Sequence, residues 1–210
     1  MEASTGGRAY WDRHAKNYGR SMALLGGPMP RMVALAAEAI DGSGRVLEVG
    51  AGTGLATSAL ARHAAELIAT DYSAAMVATL ESRVRTEGLS NVVCEQADLY
   101  ALRFSDASFD AVVAANVLHL VPDLASALEA LRRVLRPGGR LVVPTYCHAE
   151  TRLSRLASRA IAVTGFPAER RFTARSLSES LEAAGLRIGR AETLPGLIPI
   201  GYVDGSFVTR

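Results

Sequence analysis

Lysine is almost missing from this chain: Lys16 stands alone against 22 arginines, and the formal net charge is only +2. No dense basic tract with interleaved aromatic residues occurs, so the pattern of a nucleic-acid surface is absent and no nucleic-acid partner is expected. Cysteine is scarce too. Cys94 and Cys147 have no CxxC spacing and no neighbouring histidine cluster, which excludes the common metal and redox motifs and leaves two small buried hydrophobes. Every apolar run falls short of the ~18 residues that a membrane-spanning helix needs. The opening Met-Glu-Ala-Ser-Thr-Gly-Gly lacks the basic-then-apolar order of a secretory leader. A cytoplasmic protein of one domain, 1–210, is the expectation, since this length is enough to bury a core of its own. The arginine and alanine bias fits a GC-rich bacterial coding sequence and says nothing of mechanism.

What is present centres on Arg45 to Gly54, Arg-Val-Leu-Glu-Val-Gly-Ala-Gly-Thr-Gly. Val46, Leu47 and Val49 form a short apolar run bounded by glycines, the pattern of a buried strand, and Leu55 to His63 then switches to helical spacing. A strand, a glycine turn and a helix start bring backbone amides close to a ligand. The dinucleotide fingerprint GxGxxG would place a glycine or alanine at position 55. That position is Leu55, and the glycines fall at 50, 52 and 54, with a carboxylate, Glu48, two residues earlier.

Two further strands end in carboxylates. Glu66 to Asp71 reads as the second strand, and Asp71 lies where a carboxylate accepts both hydroxyls of an adenosine ribose; the plainer reading is an N-cap for the helix from Ser73 to Glu87. Asn91 to Ala97 is the third, followed by Asp98 and Leu99, where a backbone cap is again the alternative. Phe109 to Ala115 is the fourth strand, and Asn116 to Asp123 leads into a helix with Leu124, Leu128, Leu131 and Leu135 as its apolar stripe. Pro137-Gly138-Gly139 then turns into a fifth strand. Glu48, Asp71 and Asp98 thus close three successive strands, whose ends line one edge of a doubly wound sheet.

Taken in order, these five elements cover Arg45 to Tyr146, about half the chain, and closely resemble the class I S-adenosylmethionine (SAM) dependent methyltransferases. The resemblance implies a Rossmann-like α/β fold, a seven-stranded sheet of order 3-2-1-4-5-7-6 with strand 7 antiparallel, and Leu186 to Leu194 and Ile200 to Val208 supply the last two strands. It implies SAM as cofactor, held by Tyr10, Tyr18, Glu48, Gly50, Ala51, Gly52, Thr53, Gly54, Asp71, Tyr72, Met76, Ala97, Asp98, Leu99 and Asn116. The branch most resembled contains quinone-biosynthesis and phospholipid methyltransferases, which implies a small-molecule acceptor, with Trp11, His14, His119, Tyr146 and His148 as candidates to bind it. His119 leads His148 and His14 as a general base, since neutral imidazole is available near pH 7. No metal is expected.

Two segments flank this frame. Residues 1–44 hold two helical stretches, Tyr10 to Tyr18 and Pro30 to Ile40, separated by Gly26-Gly27-Pro28. Tyr10, Trp11, His14 and Tyr18 share a helix face, which reads either as edge packing or, by the resemblance, as a cover over the cofactor. The insertion 147–173 carries Leu153, Leu156, Ala160 and Ile161 on one helix face with Arg152, Arg155 and Arg159 alongside. A solvated basic face and a substrate cap both fit, and the low net charge allows at most weak membrane-surface contact. A monomer or homodimer is expected. Two other functions compete: a SAM-binding module without turnover, and a nicotinamide oxidoreductase, which leaves Leu55, Glu48 and Asp98 unexplained.

Overall fold

The computed structural model describes residues 7–15, 27–163 and 165–208. Tyr18 and Gly26 lie outside them. The element order is α1 (residues 7–15), α2 (Met29–Ala39), β1 (Ser43–Val49), α3 (Thr57–Leu60), β2 (Ala64–Asp71), α4 (Ala74–Glu87), β3 (Val92–Gln96), a 3-10 turn (Leu99–Ala101), β4 (Phe109–Val113), α5 (Leu124–Val134), β5 (Leu135–Tyr146), α6 (Arg152–Ala162), α7 (Ala174–Ala183), β6 (Leu186–Leu194) and β7 (Ile200–Phe207). The strands form one sheet, β3-β2-β1-β4-β5-β7-β6, as the resemblance implied. β1 to β5 run parallel, and β7 is antiparallel to both β5 and β6.

Period-two alternation divides the core between the two faces of this sheet. Val46, Leu67, Ala111, Val113 and Val142 bury against Met32, Leu35 and Ala36 of α2 and Leu60 of α3. Leu47, Val49, Ile68, Val112, Leu141 and Val143 bury against Leu128 and Leu131 of α5 and Leu177 and Leu181 of α7. A central strand covered on both faces must be apolar at successive positions, which is why β1 reads as a run rather than an alternation.

Helix ends follow the side chains present. Ser73, Asp123, Thr151 and Thr173 are N-caps whose side chains accept backbone N–H bonds, and Gly88 closes α4 in the left-handed region at φ 65°. The helix expected over Leu55 to His63 is shorter than its pattern suggested. α3 keeps four residues, because it has no side-chain cap and the chain is already paired into β2 at Ala64. Asp110 holds the opposite end of the sheet together, accepting from the Arg45 amide at 2.7 Å and from the Arg136 guanidinium.

Candidate functional site

At the carboxyl end of β1 the chain enters three left-handed glycines, Gly50 (φ 63°), Gly52 (φ 58°) and Gly54 (φ 82°). A Cβ at Gly50 would stand 2.5 Å from Val117 Cγ2, so both the torsion and the close approach demand glycine there. The loop is pinned by the Ala51 N–H donating to Thr70 O (2.9 Å) and the Gly52 N–H donating to Asp71 Oδ2 (2.9 Å).

Asp71 is therefore a bracket rather than the cap of α4, a position held by Ser73. Its Oδ1 accepts from the Ser73 N–H at 2.9 Å while its Oδ2 takes the loop amide. A carboxylate has about four lone-pair sites, so these backbone bonds do not exhaust what it can offer a ligand. Burial drives its pKa upward against the lowering effect of these backbone bonds. Glu48 is more extreme. It is 2% exposed, and burial pushes its pKa from 4.5 up to about 7, although Thr57 Oγ1 donates to Oε2 at 2.6 Å. Asp98 completes the row: its Oδ1 accepts from the Tyr100 N–H at 3.0 Å, capping the 3-10 turn, and the residue lines the cleft as well.

These groups line one end of a cleft of about 220 Å³. Its other end is built from the turn after β4 and from the insertion. Asn116 sits at φ 56°, a conformation that costs most side chains strain and that asparagine tolerates. Its Nδ2 donates weakly to the sulfurs of Met29 (3.5 Å) and Met32 (3.6 Å), while its buried Oδ1 has no partner among the described residues. His119 is buried with neither ring nitrogen bonded among the described residues, and burial carries its pKa down to about 3, so the ring is neutral at physiological pH. It stacks on Phe166 (6.1 Å) and meets Tyr146 edge-on (6.0 Å). Its carbonyl accepts from the Glu169 and Arg170 amides, both at 3.0 Å, which fastens the insertion across this end.

α1 lies beside the same opening. Ser73 Oγ donates to Asp12 Oδ1 at 2.5 Å, the Arg8 guanidinium lies 5.4 Å from the centre of the Tyr72 ring, and Trp11 meets Phe166 edge-on at 5.8 Å. Gly7 and Trp11 line the cleft.

Most residues expected at the site converge here. Trp11, Glu48, Gly50, Ala51, Gly52, Asp71, Tyr72, Met76, Ala97, Asp98, Leu99, Asn116, His119 and Tyr146 all line the cleft. Others do not. Thr53 and Gly54 stand behind the loop, where a Cβ on Gly54 would meet Leu80 and Arg83. Tyr10 packs on Trp11, His14 and Phe166 without lining the cleft. His14 is exposed, its Nδ1 2.7 Å from the Tyr10 carbonyl, which removes it as a base for this cleft. His148 lies behind His119 at 5.4 Å, buried and, among the described residues, with neither ring nitrogen bonded. Met29, Met32, Tyr100, Phe166 and Glu169 line the cleft and were not foreseen. Of these, Phe166 had a visible signal, an aromatic between Gly165 and Pro167 inside a segment already marked as a cap. Cys94 and Cys147 are free thiols, and among the described residues no cluster of metal-binding side chains occurs.

A methyltransferase-domain family model matches residues 47–143. A demethylmenaquinone methyltransferase of Clavibacter sepedonicus is 36% identical over 64% of this chain and 56% of its own. The chain spans about half the length of the curated demethylmenaquinone methyltransferases it matches. Among solved structures, a Burkholderia thailandensis 1,6-didemethyltoxoflavin N1-methyltransferase with bound S-adenosylhomocysteine superposes at a TM-score of 0.74, with 19% identity over 96% of this chain and 87% of that one. The [4+2]-cyclase SpnF superposes at 0.66, with 32% identity over 78% and 59%. The strand order, the glycine loop and the matched model agree in pointing to the class I S-adenosylmethionine-dependent methyltransferases, whose domain residues 47–143 of this chain resemble.

Proposed function

We propose that this chain transfers a methyl group from SAM to an uncharged small-molecule acceptor. The observation that carries the reading is one continuous cleft that joins the glycine loop and three strand-end carboxylates to an aromatic chamber with a neutral imidazole. The site fits the cofactor: three left-handed glycines turn the loop at the cleft wall, and among the described residues Asn116 Oδ1 is a buried acceptor without a partner. Asp71 would take the ribose hydroxyls on its remaining lone pairs, Asp98 the adenine amino group, and Glu48 and Asn116 the cationic methionine end. When bound, the sulfonium supplies an activated methyl carbon and a neutral thioether as leaving group.

The protein's own task is then to hold the acceptor in line with that carbon at ~3–3.5 Å and to exclude water. Tyr146, Phe166 and Trp11 give it flat apolar walls. None of the described lining residues is lysine or arginine, so a phosphorylated or carboxylated acceptor would lack a counter-charge. His119, a neutral ring held far below the usual imidazole pKa, can accept a hydrogen bond from an acceptor O–H or N–H and so orient it without placing a second cation beside the donor; the same low pKa makes it a poor group to take up the proton itself. α1 covers this end, and the insertion closes it.

Ligand at ~100 times its dissociation constant stabilises by ~2.7 kcal/mol, a melting rise of roughly 5–10 °C for a chain of this length. SAM and S-adenosylhomocysteine should each produce it; a rise with NAD alone would overturn the cofactor. Labelled SAM incubated with cell extract should then give a labelled small molecule. Similarity to a [4+2]-cyclase favours a second reading, in which the cleft binds cofactor and an apolar substrate without methyl transfer. That reading predicts substrate binding with no S-adenosylhomocysteine formed.

A further inference from the structure

The insertion helix α6 is turned inside out. Its buried positions are Ser154 and Ser158, while Leu153 and Leu156 are 59% and 64% exposed and Val163, just beyond its end, is 89% exposed. The helix is well formed in spite of this, because Thr151 and Ser154 make a complete capping box. Small serines let the backbone sit close to the domain, so the leucines contribute nothing to the core. At 100° per residue, Leu153, Leu156 and Ala160 share one stripe, and Arg152, Arg155 and Arg159 occupy the arc beside it. All three arginines are exposed, the helix contains no acidic residue, and among the described residues none of the three makes an ion pair.

We infer that α6 is a docking surface for an anionic lipid bilayer, with the leucine stripe in the acyl boundary and the arginines on lipid phosphates. A helix that lies in an interface needs this combination of a large apolar stripe and flanking cations. A second copy of the chain fits poorly: a two-fold contact would set six arginines together with no carboxylate on either helix to balance them. The placement is informative, since the chain leaves α6 and within a few residues reaches Phe166 and Pro167 on the wall of the cleft. Docking would bring the mouth of the cleft to the lipid surface. The inference does not depend on methyl transfer.

Co-sedimentation of the full chain with vesicles of phosphatidylcholine alone, and of phosphatidylcholine with phosphatidylglycerol, tests it. Binding is expected to the anionic vesicles and to weaken with salt. Each arginine near such a surface is worth about 1 kcal/mol, or about fivefold, so Arg152→Gln/Arg155→Gln/Arg159→Gln should bind roughly a hundredfold less. Leu153→Ser/Leu156→Ser should lose most binding at an unchanged melting temperature and unchanged SAM affinity. No binding by the parent chain, or equal binding by the leucine variant, would overturn the inference. So would light scattering that shows a dimer of the parent chain, abolished in the leucine variant, with no vesicle binding; that result makes the face a self-association surface.

Discussion

Glu48→Gln should make the protein more stable and a poorer SAM binder, and the pH dependence of both effects can be worked out from the fold. Glu48 is held by burial at a pKa of about 7, against 4.5 for the free group, with the charge of Asp71 adding to the rise and the Thr57 hydroxyl opposing it. Between those two values the folded chain keeps a proton that the unfolded chain gives up. The stability this confers is complete below about pH 4.5 and is lost as pH rises toward 7. At ~1.36 kcal/mol per pH unit the interval corresponds to a destabilisation of about 3 kcal/mol above pH 7. Glutamine has the same shape, cannot ionise, and still offers an oxygen to Thr57 Oγ1. The variant should therefore gain up to about 3 kcal/mol at about pH 8, a rise in Tm of roughly 6–12 °C, and almost nothing near pH 4.5.

SAM binding should move the other way. A cationic ligand favours the ionised carboxylate, so affinity of the parent chain should fall as pH drops from 7 to 5, by up to tenfold per unit, as Glu48 takes up a proton. The glutamine variant should bind more weakly at pH 7.5 and lose this dependence. Melting curves at the two pH values and titration calorimetry across the range measure both. A variant less stable than its parent at about pH 8 would mean that Glu48 is ionised and well compensated in the fold. Identical pH profiles for SAM would remove Glu48 from the binding of the cationic end.

Asp71→Asn cannot accept both backbone bonds, so it should lose ~1–3 kcal/mol of stability from an unsatisfied N–H as well as ~1.5–3 kcal/mol of SAM affinity; chemical denaturation and calorimetry separate the two, and unchanged affinity would leave it a loop anchor only. Trp11 lines the cleft and touches Phe166, so its fluorescence should change when SAM or S-adenosylhomocysteine binds, and indifferent emission would reduce α1 to edge packing. Cys147 is buried with its pKa pushed up to about 12, so it should resist a thiol reagent in the native protein. Both cysteines should react in denaturant without reductant. Cys94 and Cys147 stand at the two ends of the stretch β3-β2-β1-β4-β5, four strand spacings or about 19 Å apart, so a bridge between them would refute the sheet order.

The sheet was legible wherever burial imposes a period. Val46 to Val49 and Phe109 to Val113 read as strands because both faces are covered. The order of the strands came from resemblance, since pairing between Val46 and Ala111 leaves no mark on either segment. The cofactor end of the site was legible because a ligand approached by backbone needs glycine at fixed spacing. The acceptor end was not: the contact between the His119 carbonyl and the Glu169 and Arg170 amides joins residues fifty apart through atoms every residue possesses. The insertion shows a third kind of limit. Periodicity revealed an apolar stripe at Leu153 and Leu156 but not that the domain would lie on the serine side, where small side chains permit the closer approach.

The place of β7 governs how the molecule is made. It is the last strand in the chain order yet sits inside the sheet, between β5 and β6, and it brings Tyr202, fully buried, whose hydroxyl donates to Asp204 Oδ2 or to the carbonyl of Leu35 in α2. During synthesis β1 to β5 can assemble as they emerge, but the free edge of β5, with Leu141, Val142 and Val143 in a row, waits for some sixty further residues before Ile200 to Phe207 cover it. An open apolar edge is a template for pairing with another chain. The slow, exposed stage on the ribosome therefore falls after the cofactor loop is already formed, and cofactor present in the cell could bind that half-built sheet while its edge is still unpaired.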